Sequence, residues 1–159
     1  MLKKNGSMSV FAVVEGMPSD DKKIPLIREK TKDLYGFWPR LWKLPGGKVE
    51  PNEYPELTVI REISEEIGIN IFPPENKDVF FSINLGDHTF QVYRVDYYGG
   101  ELQAGEEIEE IRLFSFKEIE PMMIGSKILS NHAAAIKKYL QAINDNDERR
   151  VKICTERRN

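Results

Sequence analysis

The apolar and acidic residues between positions 55 and 67 recur with the period of an α-helix. At about 3.6 residues per turn, one side of this segment carries Val59, Ile60, Ile63 and Ile67. The roughly opposite side carries three glutamates one turn apart, Glu62, Glu65 and Glu66. The ends fit a helix too, since Asn52 can cap free amides and Gly68 suits the residue after the last turn. The pattern predicts an amphipathic helix with one apolar and one acidic face.

Shorter apolar runs surround this helix and are typical of strands. The candidate strands are residues 10–14, 24–30, 79–85, 89–97 and 111–116. A short helix or turn is expected at 117–123, ending near Pro121, and apolar spacing over 126–143 predicts a longer helix. This order of elements predicts an α/β fold with a mixed β-sheet between helices.

Length and charge limit the number of domains and the kind of partner. The chain has 159 residues, which suits one domain with a single core. We place that domain at residues 1–145 and expect the mostly charged residues 146–159 to form a frayed tail. A net charge of −3 gives no global attraction for nucleic acid polymers or anionic membranes. Any polyphosphate must therefore be bound by local cations and a metal.

Cysteine usage and hydropathy bear on the compartment. Cys154 is the single cysteine of the sequence, so no internal disulfide can form, as expected in a reducing compartment. The first residues lack the apolar stretch of a signal peptide, and no run approaches the roughly 18 apolar residues of a membrane span. We therefore expect a cytoplasmic protein with no membrane contact.

The three clustered carboxylates suit a hard divalent cation. Mg²⁺ and Mn²⁺ prefer oxygen ligands and keep coordination positions for water and phosphate oxygens. The pair Gly46-Gly47, just upstream, lets bare backbone approach such an ion and offer a carbonyl. The alternative is a solvated acidic surface, which explains most charge runs.

A longer pattern separates these two interpretations. It follows the spacing GX5EX7REUXEEXGU, where U is a bulky aliphatic residue, at Gly47, Glu53, Arg61, Glu62, Ile63, Glu65, Glu66, Gly68 and Ile69. The chain thus resembles the Nudix hydrolase family at every signature position, and Leu44-Pro45-Gly46 resembles the lead-in of that family. Asn52 stands where many members have glycine, and asparagine tolerates unusual backbone angles.

The resemblance implies an α/β/α sandwich and a reaction. Water would attack phosphorus and hydrolyse a pyrophosphate linkage in a nucleoside diphosphate derivative, a nucleotide-type small molecule. Glu62, Glu65 and Glu66 would hold Mg²⁺, or Mn²⁺, together with the Gly46 carbonyl. ADP-ribose-type members commonly carry a proline beyond the signature, and residues 83–85, at that place, have none. This disfavours that branch and leaves nucleoside triphosphates, oxidised nucleotides and other derivatives.

The resemblance also assigns supporting roles around the metal. Arg61 and Glu53 would form a salt bridge that orients the carboxylates. For the general base it leaves several glutamates open: Glu106 is the first choice by position, then Glu107 and Glu109 of the same acidic loop, or Glu62 itself.

Aromatic and basic residues before the signature are candidate substrate contacts. One of Tyr35, Phe37 or Trp38 would stack on a nucleobase. Phosphate would meet Arg40, Lys43 or Lys48, and we name Trp38, Arg40 and Lys48 as the site candidates. The alternative is a satellite cluster that covers the sheet edge. His88 is expected to be an exposed turn residue and His132 to open a helix without acting as a ligand, which argues against a histidine-based site.

Two other functions compete with the enzyme. A catalytically silent Nudix-fold regulatory domain would bind nucleotides without turnover, but such domains usually lose signature carboxylates and this chain keeps them. A structural Ca²⁺ site would need the Asp/Asn-rich spacing of an EF-hand loop, which the signature lacks. Because the family is often dimeric, a homodimer is also expected.

Overall fold

Seven strands and three α-helices make up the part of the chain that the structure describes. It is a computed structural model describing residues 6–19, 21–30 and 40–157. The strands are β1 (Ser7–Glu15), β2 (Lys23–Glu29), β3 (Gly46–Lys48), β4 (Asn70–Ile71), β5 (Val79–Leu85), β6 (His88–Gly99) and β7 (Ile108–Ser115). The helices are α1 (Pro55–Ile67), α2 (Phe116–Ile124) and α3 (Ser130–Glu156), with a 3₁₀ turn at Asn76–Asp78.

The main sheet is mixed and is built around β1 and β6. These two strands are parallel, with Ser7 opposite His88 and Glu15 opposite Asp96. Strand β3 is antiparallel to β1, whereas β4 and β5 are both antiparallel to β6. Strands β2 and β7 form a separate antiparallel pair. Because β1 and β6 are parallel, the chain between them must return to the same end of the sheet through a crossover connection.

Alternating side chains of β1 divide the core into two parts. Val10, Ala12 and Val14 pack with Val59, Ile63 and Ile67 of α1. Phe11 and Val13 point the other way and pack with Ile136 and Tyr139 of α3. This period of two on one strand lets two helices cover opposite faces of the sheet. The predicted α/β fold with a mixed sheet between helices is confirmed.

The five predicted strands are confirmed, and two short strands were missed. Strand β3 contains two glycines and a lysine and lacks the β-branched or aromatic residues that mark a strand. Its pairing comes from the neighbouring β1 instead. Strand β4 has two residues, too few for a periodic signal.

The helix ends differ from the prediction in three places. Asn52 does not cap α1: the cap residue is Tyr54, with no side-chain bond, while Asn52 adopts a left-handed φ of 66°. Pro121 lies inside α2. The prediction of a frayed tail was wrong, because α3 continues to Glu156. Residues 144–156 contain neither glycine nor proline and include several strong helix formers, which favours continuation of the helix.

The described helices bear on the membrane prediction. None of them combines the length and the apolar character needed to cross a bilayer.

Candidate active site

The acidic face of α1 opens onto a cleft of about 420 Å³. Its lining residues are Glu62, Glu65, Glu66, Gly105, Glu106, Glu107 and Ile108. The three helix carboxylates therefore meet the acidic loop that precedes β7. Glu62 and Glu66 are half-buried in this cleft, whereas Glu65, Glu106 and Glu107 are exposed.

Glu66 is held against the glycine pair before the helix. The Gly46 amide donates a hydrogen bond to Glu66 Oε1 at 2.6 Å. Burial raises the pKa of Glu66 to about 7, although the hydrogen bond from Gly46 and the charge of Lys43 act in the opposite direction. A carboxyl group that is costly to ionise in this place gains from a nearby cation.

Glu62 fits into the space that Gly47 leaves empty. A Cβ atom on Gly47 would lie 2.6 Å from both Cδ and Oε1 of Glu62. Burial raises the pKa of Glu62, while the charge of Arg61 opposes the change. The first signature glycine is thus explained by the volume of this carboxylate.

Arg61 ties the carboxylates together from the outer side of α1. Its Nε and a terminal nitrogen donate to both oxygens of Glu53 at 2.8 and 2.9 Å. The other terminal nitrogen donates to Glu62 at 3.0 Å and to Glu65 at 3.2 Å. The bonds from Arg61, with one from the Thr58 hydroxyl, lower the pKa of Glu53 to about 2. Glu53 is therefore ionised at neutral pH, as a fixed partner for the guanidinium group must be.

The loop before β7 is fastened to the last turn of α1. The amide of Gln103 donates to the Ile67 carbonyl at 2.9 Å, and that of Gly105 donates to the Glu66 carbonyl at 3.0 Å. A Cβ on Gly105 would lie 2.2 Å from the Glu65 carbonyl oxygen. These contacts satisfy free carbonyls at the helix end and place the loop beside Glu66. The sequence analysis did not predict that Gln103 and Gly105 hold the loop in place. A glycine within an acidic loop could have indicated a close contact of the backbone at Gly105.

The glutamates between positions 106 and 110, of which Glu109 and Glu110 lie on β7, divide between two places. Glu106 and Glu107 line the cleft. Glu109 instead forms an ion pair with Arg40, and Glu110 pairs with Arg28. The structure thus brings Glu106 and Glu107 to the helix carboxylates and leaves Glu109 out of the cleft.

The oxygen-only lining fits a hard divalent cation, but the side chains are not already closed around one. Within residues 6–19, 21–30 and 40–157, no three carboxylates, histidines or cysteines are close enough together to hold a metal ion. Glu62 and Glu65 accept hydrogen bonds from Arg61, and Glu66 accepts one from the Gly46 amide. The Gly46 carbonyl as a ligand remains a prediction.

The predicted substrate contacts lie in three different situations. Trp38, like Tyr35 and Phe37, lies outside the described residues. Arg40 lines a separate groove with Arg28 and Trp42 and does not enter the carboxylate cleft. Lys48 is exposed at the end of β3, next to Gly47.

His132 is a core residue, which the sequence did not predict. Its side chain is 5% exposed and packs against the rings of Phe11 and Phe90. Nδ1 accepts a hydrogen bond from the Leu44 amide at 3.0 Å. Burial, with the charge of Lys43, lowers the pKa of His132 to about 3, so the ring is neutral at pH 7. The expectation of an exposed turn residue was wrong for His88, because it is the first residue of β6, is partly buried, and its Nδ1 contacts the Ser7 hydroxyl at 2.6 Å.

The fold and the cleft together define a class of protein. It is an α/β domain in which one helix and the glycine pair before it present carboxylates to a cavity. Residues 8–133 match the family model described as the NUDIX domain. The chain therefore belongs to the Nudix hydrolase family of pyrophosphohydrolases.

Relatives of known sequence support this assignment. The chain is 32% identical over 134 residues to a protein named ADP-ribose pyrophosphatase from Methanocaldococcus jannaschii, a match that covers 80% of this chain and 72% of the relative. It is 57% identical over 30 residues to an 8-oxo-dGTP diphosphatase from Proteus vulgaris, which covers 19% of this chain and 27% of that protein.

Solved structures are similar in fold. A NUDIX hydrolase from Nitrosomonas europaea matches with a TM-score of 0.69 and 22% identity, covering 87% of this chain and 72% of that one. The MutT protein from Methanosarcina mazei matches with a TM-score of 0.64 and 22% identity, covering 92% and 99%.

Proposed function

We propose that this chain hydrolyses a pyrophosphate linkage in a nucleoside diphosphate derivative, with Mg²⁺ or Mn²⁺ bound by Glu62, Glu65 and Glu66. The observation that carries the proposal is the cleft in which these carboxylates meet Glu106 and Glu107. Relatives named ADP-ribose pyrophosphatase and 8-oxo-dGTP diphosphatase support the substrate class.

Electrostatics explains why a cation is part of the proposal. A polyphosphate carries negative charge, and so does a cleft lined by five glutamates, Glu62, Glu65, Glu66, Glu106 and Glu107. The two repel each other unless positive charge lies between them. When bound, the divalent ion would neutralise this charge and lower the pKa of water.

The chain itself would hold and orient the reacting groups. Gly46 fixes Glu66 through its amide, and Arg61 restrains Glu62 and Glu65 while Glu53 restrains Arg61. Such support around metal-binding carboxylates keeps them in one geometry. The Gly46 carbonyl would add one further oxygen ligand.

Glu106 is our first choice for the general base. It lines the cleft, on a loop that is fastened to the end of α1. In this role its carboxylate would take a proton from water as the water oxygen bonds to phosphorus and the bridging P–O bond breaks. Glu107 and Glu62 line the same cleft and are the other candidates.

Phosphate release from a panel of compounds tests the function. The panel contains nucleoside triphosphates, 8-oxo-dGTP, nucleotide sugars and ADP-ribose, with Mg²⁺ and a coupling phosphatase. ADP-ribose is included because of the relative of that name, although residues 83–85 lack the proline discussed above. We expect turnover of at least one compound.

The variant Glu66→Gln tests the site within the same assay. Glutamine keeps an oxygen that can accept the hydrogen bond from the Gly46 amide, so the variant should fold. We expect activity to fall by roughly 100-fold or more, because a metal-binding charge is lost. The exposed Glu120→Gln is the matched control. Full activity of Glu66→Gln would contradict the assignment of Glu66 as a metal ligand. If the wild-type protein binds nucleotides but turns over none of them, the regulatory domain is favoured.

The homodimer and the cytoplasmic location remain predictions. Light scattering of the purified protein tests the first, and cell fractionation tests the second.

A further inference from the structure

Lys43 carries an ammonium group that points inward. Its side chain is only 14% exposed, and Nζ lies 2.5 Å from Glu29 Oε1 and 5.4 Å from the centre of the Phe11 ring. The backbone of Lys43 exchanges two hydrogen bonds of 2.9 Å with Ile27 of β2, which fixes where the side chain starts. Lysines usually extend their charge into water, so this placement needs a reason.

The charge of Lys43 acts on two neighbouring cavities. In the carboxylate cleft, burial raises the pKa of Glu66 and Lys43 opposes that rise. A second cavity, of about 310 Å³, is lined in part by Phe11, Phe90 and His132. There burial lowers the pKa of His132, and Lys43 lowers it further. Phe11, whose ring centre is 5.4 Å from the ammonium group, lines this second cavity. Phe11 also pairs with Gly46, whose amide donates to Glu66 in the carboxylate cleft, so the ammonium group is close to both cavities.

Lys43 is also better placed than Arg61 to donate a hydrogen bond to a new anionic partner. Arg61, which contacts the helix carboxylates, already donates to Glu53, Glu62 and Glu65. An ammonium group has three donors, and among the described residues Glu29 is the carboxylate that takes one of them. Glu29 is itself 48% exposed, so a second anion can approach the pair.

From this placement we infer that Lys43 is a substrate-binding residue whose ammonium group donates to a phosphate oxygen of the pyrophosphate. The phosphate would lie between the helix carboxylates and the Phe11 cavity, where Lys43 offsets part of the repulsion from the acids. This inference rests on the proposed function, since it takes the carboxylate cleft as the place of the pyrophosphate. The competing explanation is that the ion pair with Glu29 only ties β2 to the segment before β3.

Calorimetric titration with imidodiphosphate, a pyrophosphate analogue with a nitrogen bridge, tests the inference in the presence of Mg²⁺. We expect Lys43→Met to weaken binding by roughly 10- to 100-fold, the effect of losing a hydrogen bond to a charged group. Lys43→Arg keeps the charge and should bind within a few-fold of wild type. Lys77→Met removes a surface lysine that pairs with Glu75 and is 77% exposed, and it controls for net charge.

Glu29→Gln separates the two explanations, because it breaks the same ion pair from the other side. If Lys43 contacts phosphate, this variant should bind imidodiphosphate at least as tightly as wild type, since a competing anion is gone. Equal weakening in Glu29→Gln and Lys43→Met would show that the ion pair is only structural. Unchanged binding in Lys43→Met, or no binding by wild type, would also overturn the inference.

Turnover measured on the same proteins keeps this test apart from the proposed function. A wild type that binds imidodiphosphate through Lys43 but hydrolyses no compound of the panel would contradict the proposed hydrolysis and leave the Lys43 contact standing. If the wild type turns over substrate and Lys43→Met has the same KM as the wild type, the proposed hydrolysis stands and the Lys43 contact is contradicted.

Discussion

Substituting Gly47 by alanine tests whether the position of Glu62 matters for activity. The added methyl group would lie 2.6 Å from Cδ and Oε1 of Glu62, whereas ordinary contact begins at 3.4 Å. The carboxylate must therefore move by about 0.8 Å. Gly47 does not have a positive φ, so alanine is compatible with the backbone at this position.

The structure predicts a large effect on rate and a small effect on stability. The displaced atoms are the end of a flexible side chain, so the free energy of unfolding should stay within about 1 kcal/mol of wild type. A displacement of about 1 Å at a reacting group can cost on the order of 100-fold in rate. We expect kcat to fall by roughly 10- to 100-fold, which corresponds to about 1.4–2.7 kcal/mol of transition-state stabilisation.

Two other glycines provide the controls for phosphate release and urea unfolding. A Cβ on Gly99 meets nothing within 4 Å, so Gly99→Ala should be active and stable. Gly46 has a φ of 146°, and its Cβ would lie 2.1 Å from the Val10 carbonyl oxygen, so Gly46→Ala should not fold normally. Gly47→Ala should be about as stable as Gly99→Ala but less active.

Wild-type kcat in Gly47→Ala would refute this reasoning. The Glu62 carboxylate would then tolerate displacement, and its assignment as a metal ligand would fail. Marked destabilisation of Gly47→Ala would show that the contact serves folding and not catalysis.

Three further predictions follow from contacts around the cleft and in the core. Arg61→Lys loses the two-pronged bond to Glu53 and should weaken Mg²⁺ activation by roughly 10- to 100-fold, measured by metal titration of activity; an unchanged titration would contradict the supporting role. Glu106→Gln should lower kcat by roughly 100-fold or more and alter the pH–rate profile, whereas Glu109→Gln, which lies outside the cleft, should change kcat less than twofold; equal effects would remove Glu106 as the base. The pKa of His132 is about 3 in the folded state and 6.5 ordinarily. Between these two pH values the native state binds fewer protons than the unfolded state, so the free energy of unfolding decreases as the pH falls. His132→Asn should remove roughly 3 kcal/mol of the fall between pH 7 and pH 4 in urea unfolding, and an unaltered slope would contradict the burial of a neutral ring.

Local signals explain what the sequence alone could predict. Helix α1 has a strong 3.6-residue period and a glycine just past its end, and the structure confirms residues 55–67. Glu62, Glu65 and Glu66 share a face because their spacing requires it. The spacing from Gly47 to Ile69 then identifies the family without any tertiary information.

Contacts between distant segments could not be predicted in the same way. Glu109 was a candidate base by position along the chain, but it lies on β7 and forms an ion pair with Arg40. Whether an acidic residue enters the cleft thus depends on contacts with distant residues, here one 69 positions away along the chain. The inward turn of Lys43 likewise depends on Glu29 and Phe11, which no local pattern links to it.

The hydrogen bonds from Gln103 and Gly105 to the last turn of α1 have a consequence for motion. The two amides close the helix end, so the loop cannot detach without freeing the carbonyls of Ile67 and Glu66. Loop release and fraying of that turn should therefore be one cooperative opening. In hydrogen-exchange experiments the two loop amides should share a single protection factor, and each opening would separate Glu106 from the helix acids at the same moment.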